Sequence, residues 1–230
     1  MTEQQNTAVR TGNIVHNLEN QAVDQIEVSF PSCGETLRGL FLVPANRRGP
    51  LPTIVMAPGM SGVKEGSILQ YATFFAGGGF AVLAYDNICF GDSGGTPRQE
   101  VDPMLQRRGY RDAITFATLR EEVDETRIGI FGTSYAGGHC LEVAAHDRRV
   151  KCVVSQIPAI SGQEAFRRAS RSEQIPAAGR NRTVGRVARP CRNKAPAGDA
   201  SHGRMMSRAR AGHDDSLLLI AATAILVFTA

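Results

Sequence analysis

From Gln25 to Phe30 apolar and polar residues alternate (QIEVSF), the period of a strand with one face buried. Leu37 to Val43 (LRGLFLV) reads as its hairpin partner, with Cys33-Gly34-Glu35 as the turn. Thr53 to Ala57 (TIVMA) is a short apolar run closed by Pro58-Gly59, the pattern of a strand covered on both faces. Ser67 to Ala76 predicts a helix that Gly77-Gly78-Gly79 stops, and Phe80 to Tyr85 (FAVLAY) predicts another buried strand. Asp102-Pro103 is a helix start, an Asp cap followed by Pro at the first helical position. Leu105, Tyr110, Ala113, Ile114 and Ala117 can share one face of a helix running to about Glu122. Arg127 to Phe131 then predicts a strand, Tyr135 to Ala145 a helix, and Val150 to Ser155 a strand.

Strand and helix thus alternate from Thr53 onward, which predicts an α/β fold. Its sheet is mostly parallel with helices on both faces, and the antiparallel hairpin lies at one edge. Ligands on such sheets bind beyond the carboxyl ends of the strands. The loops 58–66, 86–97 and 132–138 all leave those ends and are expected to converge.

The periodicity ends near residue 163. Between Glu164 and Asp215 the large apolar side chains are Phe166, Ile175, Val184, Val187, Met205 and Met206, too few to offset the entropy of ordering 52 residues. The organisation expected is a polar segment 1–23, an α/β core 24–163, an Arg/Ala/Gly-rich disordered segment 164–215 and an apolar tail 216–230. Arg, Ala, Gly, Ser and Pro are encoded by GC-rich codons, so one reading is that the chain after about Gly162 is translated out of frame. The partner strands, acid and histidine of the core would then be lost.

Charge changes this picture little. The formal net charge is +4, but 164–215 holds 11 Arg and 1 Lys against 5 acidic residues, a balance of +7. The rest carries 14 basic and 17 acidic residues, a balance of −3. The basic stretch lacks interleaved aromatics, so no nucleic-acid partner is expected. Five cysteines without a C-x-x-C pair suit a reducing, cytoplasmic setting. The N-terminus lacks the apolar stretch of a secretory signal. The tail SLLLIAATAILVFTA is shorter than the roughly 20 residues of a spanning helix, so membrane contact through it is not the expectation. No metal or cofactor is implied: there is no H-E-x-x-H, no Cys/His cluster and no phosphate-binding G-x-x-x-x-G-K-[ST].

The distinctive chemistry lies in RIGIFGTSYAGG, 127–138. Strand, sharp turn and helix with Ser134 at the apex is the layout of a nucleophile elbow. Gly132, Ala136 and Gly137 stand where strand and helix must approach closely; the strict G-x-S-x-G pattern is met except that Ala136 holds the second glycine position. A serine nucleophile also needs backbone N–H groups aimed at the developing oxyanion. Tyr135 supplies one by position, and Met60 in APGMSG the other, with Ser61 its neighbouring candidate.

These stretches resemble the α/β-hydrolase superfamily, nearest to the dienelactone-hydrolase-like and acyl-peptidase-like serine esterases. The resemblance runs from about Asp24 to Ile160 and rests on APGMSG, YDNICFGDSGG and VDETRIGIFGTSYAGG. Pro58 stands where that superfamily usually has a histidine, and Ser134 where dienelactone hydrolases proper have a cysteine. The resemblance implies an acyl hydrolase acting through an acyl-serine on an ester, thioester or lactone, acyl-homoserine lactones included.

It also implies an acid and a histidine after the serine. His139 and His146 fall on the helix that follows the elbow and are read as structural. That leaves His202 and His213 with Asp199, Asp214 and Asp215, of which Asp199 and His213 are the candidate acid and base. The alternative is a catalytically impaired relative that binds a small acyl ligand without turnover. A basic module on an anionic polymer ranks below both.

Overall fold

The computed structural model describes residues 22–161 and 224–228. Seven strands form one sheet: β1 (Val23–Ser32), β2 (Glu35–Pro44), β3 (Leu51–Ala57), β4 (Ala81–Tyr85), β5 (Val123–Thr133), β6 (Val150–Gln156) and β7 (Ala224–Phe228). Among the described residues three helices join them: α1 (Ser67–Gly77), α2 (Pro103–Thr118) and α3 (Tyr135–His146). The order across the sheet is β1-β2-β4-β3-β5-β6-β7. β4, β3, β5 and β6 are parallel, while the β1-β2 hairpin lies antiparallel on β4.

The chain runs from β3 through α1 to β4 on one side, then through α2 to β5 on the other. Strand order therefore reverses at β3, where a crevice opens beyond the carboxyl ends. Alternate residues of the central strands feed two cores. Val55, Leu83, Ile130 and Val153 pack with Tyr110, Ala113, Ile114 and Ala117 of α2 and Ala136, Cys140 and Val143 of α3. Met56, Val82, Ala84 and Phe131 pack with Ile68, Ala72 and Ala76 of α1. The period-2 pattern thus places helices on opposite faces, as expected.

The structure differs from the sequence reading at element boundaries and in one further strand. The hairpin strands are longer, and the turn is Cys33-Gly34 alone, both at positive φ (50° and 80°). α2 begins as read, with Asp102 accepting from the N–H groups of Met104 (2.8 Å) and Leu105 (3.2 Å). It ends at Thr118 rather than near Glu122. Arg120 and Glu122 instead pair with each other at 2.7 Å, and Val123 already pairs with Leu51, so β5 starts four residues before Arg127. Ala224–Phe228, inside the segment read as an apolar tail, is an edge strand antiparallel to β6. All of 164–215 lies outside the described residues, with Asp199, His202 and His213 in it.

Candidate active site

The turn at Ser134 is built by close approach. β5 delivers the chain to the crevice and α3 leaves it at once, which puts Ser134 at φ 57°, ψ −118°. A non-glycine residue there is strained, and the surroundings must hold it. Its N–H donates to the Gln156 carbonyl (2.9 Å) and its carbonyl accepts from Ala159 (2.9 Å), so both peptide groups are tied to the chain leaving β6. A Cβ on Gly132 would sit 2.4 Å from the Ala136 carbonyl oxygen and 2.7 Å from Cys140 Sγ. One on Gly138 would sit 2.4 Å from the Ala159 oxygen. The small residues around Ser134 are there because strand, helix and the following loop touch backbone to backbone.

The turn after β3 packs against this elbow. A Cβ on Gly59 would lie 3.5 Å from Ser134 Cβ and 3.9 Å from the Tyr135 nitrogen. Met60, the next residue, is half exposed at the crevice (52 %). Tyr135 opens α3, where the first N–H groups have no partner within the helix. Tyr135 directly follows Ser134, and Met60 follows the glycine packed against it.

The turn is held from below and from the side. The buried Tyr110 hydroxyl accepts from the Ala57 N–H (3.1 Å) and donates to the Phe131 carbonyl (3.0 Å), tying the ends of β3 and β5 beneath the site. The Asn87 side-chain amide donates to the Pro58 carbonyl (3.1 Å). Lys64 is buried, with its ammonium on Asp86 (2.8 Å), Asp92 (2.7 Å) and Glu65 (2.5 Å). Burial alone would lower its pKa; the hydrogen bonds to the three carboxylates outweigh it and raise the pKa. Among the described residues these carboxylates are the group whose oxygens come close enough to chelate an ion. The Lys64 ammonium already sits between them and offsets part of their charge. The three distinctive loops do converge, through side chains the sequence reading did not single out.

His139 is buried against the Tyr135 ring (4.5 Å between centroids, edge to face), with Nε2 3.1 Å from the Gln106 amide oxygen. Burial, then the Arg107 charge, holds its pKa down to about 4, so it is neutral near pH 7. His146 meets the Glu142 carbonyl through Nδ1 at 2.8 Å. Neither hydrogen bond runs to Ser134. Cys140 lies beneath the elbow, and burial pushes its thiol up to about 12, so it stays a protonated thiol near pH 7. Asp199 and His213 lie outside the described residues. Beside the turn that follows β3 a cavity of about 470 Å³ is lined by Pro58, Gly59, Ser61, Val63, Glu65 and Ile68. Among the described residues no helix is long and apolar enough to cross a membrane.

A doubly wound sheet with a strained serine at the strand-to-helix turn and a glycine turn pressed against it defines an α/β-hydrolase. Comparison with known proteins agrees and narrows the class. The model of the X-Pro dipeptidyl-peptidase (S15) family matches residues 34–210, and the chain belongs to that family. It is 35 % identical over 146 residues to the quorum-quenching protein AidA of Acinetobacter baumannii, covering 64 % of this chain and 48 % of AidA. To a thiohydrolase of Eupenicillium brefeldianum it is 37 % identical over 142 residues, covering 62 % and 42 %. The α/β hydrolase GrgF of Penicillium sp. sh18 superposes with a TM-score of 0.56 at 30 % identity, covering 63 % of this chain and 50 % of GrgF. The chain spans about half the length of these relatives.

Proposed function

We propose that this chain is a serine-dependent acyl hydrolase whose substrates are carboxylic esters, thioesters or lactones. The observation that carries this reading is Ser134 held at φ 57°, ψ −118° with the Gly59 turn packed on it. A serine in that strained turn presents its Oγ outward from both strand and helix. As Oγ attacks the acyl carbon its proton passes to the general base, and the carbonyl electrons move onto oxygen. The backbone N–H groups of Tyr135 and Met60 receive that charge. Collapse returns that proton to the departing thiolate, alkoxide or ring oxygen and leaves an acyl-serine; water, giving a proton to the same base, then attacks the acyl carbon and releases the carboxylic acid and free serine. The acid and base assigned from chain order are Asp199 and His213. The S15 family match and the similarity to a thiohydrolase support hydrolysis at an acyl carbon.

An activated acyl thioester and the matching aryl ester test the reading. The full chain is expected to release thiol and phenol with saturation kinetics, and Ser134→Ala to reduce both to the uncatalysed rate. Acyl-ligand binding with no turnover would favour the impaired-relative reading instead. Turnover retained in Ser134→Ala would remove Ser134 from the chemistry.

A further inference from the structure

We propose that Lys64 is a positioning residue for the oxyanion turn. Its ammonium and its own N–H grip Asp86 together and so set where residues 58–64 lie against Ser134. The inference rests on the reading of Ser134 as the nucleophile and names what holds the other half of that site in place.

The turn has little structure of its own. Its internal backbone hydrogen bond, from Gly62 N–H to the Gly59 carbonyl, is long at 3.4 Å. Residues 86 and 87, which follow β4, anchor it at both ends. At the near end the Asn87 amide holds the Pro58 carbonyl at 3.1 Å. At the far end the Lys64 N–H donates to Asp86 Oδ1 (2.7 Å) and its ammonium to Oδ2 (2.8 Å). One carboxylate therefore fixes both backbone and side chain of one residue.

Asp86 is in turn immobilised. It is fully buried, and its Oδ2 also accepts from the Asp92 N–H at 3.1 Å. The turn that delivers Asp92 wraps the carboxylate tightly: a Cβ on Gly91, at φ 51°, would lie 2.2 Å from Asp86 Oδ2. The Asp92 carboxylate closes the ring on the Lys64 ammonium at 2.7 Å.

A buried ion pair is weak evidence for stability, because desolvation offsets much of the attraction. What this one supplies is geometry. An apolar residue at 64 would keep its backbone N–H on Asp86 Oδ1 but would lose the ammonium that joins Asp86 Oδ2 to Asp92, leaving the turn held at one carboxylate oxygen only. Oxyanion stabilisation depends on donors within tenths of an ångström of their target, and loss of one donor costs on the order of a hundredfold or more in rate.

The test is the inactivation of the full chain by an alkyl fluorophosphonate, whose phosphoryl oxygen occupies the oxyanion position. The limiting rate kinact is measured separately from KI. Two variants are compared with wild type: Lys64→Arg, and the double variant Lys64→Met/Asp86→Asn, which removes both charges and so strands neither. Circular dichroism and a urea transition establish that each is folded.

The double variant is expected to lose roughly 10- to 100-fold in kinact with KI within about threefold of wild type. Lys64→Arg keeps the charge, but its planar fork cannot reproduce the single-atom hub, and it is expected to lose roughly 3- to 10-fold. If the double variant does not fold, Lys64→Arg alone decides. A folded variant with wild-type kinact overturns the positioning role, since charge balance alone would leave Lys64→Arg unchanged. A wild-type chain that the phosphonate does not modify overturns the serine assignment, and this inference with it.

Discussion

His139 shows how much one residue's surroundings decide. It lies five residues after Ser134, yet its imidazole is packed against the Tyr135 ring and bonded to Gln106, not to the serine. Burial and the Arg107 charge lower its pKa from 6.5 to about 4. The unfolded chain therefore takes up a proton below about pH 6.5 that the native chain refuses until about pH 4. Stability attached to this group is fully present above pH 6.5 and falls as pH drops through that window, by roughly 3 kcal/mol at most. His139→Gln is expected to flatten the pH dependence of the urea midpoint between pH 4 and 6.5, after its own loss of packing at pH 7 is subtracted. An unchanged slope would place the proton uptake elsewhere. Sequence alone made His139 structural from its position on the helix after the elbow. It could not foresee Gln106, which comes from a different helix.

Among the elements, the site depends on how the ends of β3 and β5 are held together. Backbone pairing between them runs to Ala57 and Gly132, and at that same end the Tyr110 hydroxyl bridges Ala57 and Phe131. Tyr110→Phe removes that hydroxyl and leaves the Ala57 N–H and Phe131 carbonyl without it. The expected cost is about 1–3 kcal/mol of stability, read from the urea midpoint, with a fall in thioester turnover. A neutral substitution would mean that water takes the hydroxyl's place. The apolar face of α2 was legible, and Tyr110 was placed on it correctly, because burial follows the 3.6-residue period. The hydroxyl's partners were not legible: they lie 53 and 21 residues away and depend on strand order. Element boundaries erred for a related reason. The sequence reading carried α2 to about Glu122, but the chain turns at 119–122 so that Val123 can pair with Leu51 and open β5.

For the molecule as a whole, alternation of strand and helix was enough to assign an α/β sheet. The spacing of Gly132, Ser134, Ala136 and Gly137 was enough to locate the elbow. Both are local patterns. The Lys64, Asp86 and Asp92 cluster was hidden because its members come from two loops that only the closed sheet brings together. Its sequence signal was present but small: a lysine inside a glycine-rich turn, and an aspartate directly after a fully apolar strand. The strand Ala224–Phe228 was missed because an apolar run near a terminus suits a membrane tail as well as a sheet edge.

The central claim is that Ser134 is the nucleophile of an acyl hydrolase. Its most direct measurement is peptide mapping by mass spectrometry of the full chain after exposure to a fluorophosphonate. The expected result is one covalent adduct per chain, on the peptide carrying Ser134, with none in Ser134→Ala. An adduct on another residue, or equal modification of the alanine variant, would contradict it.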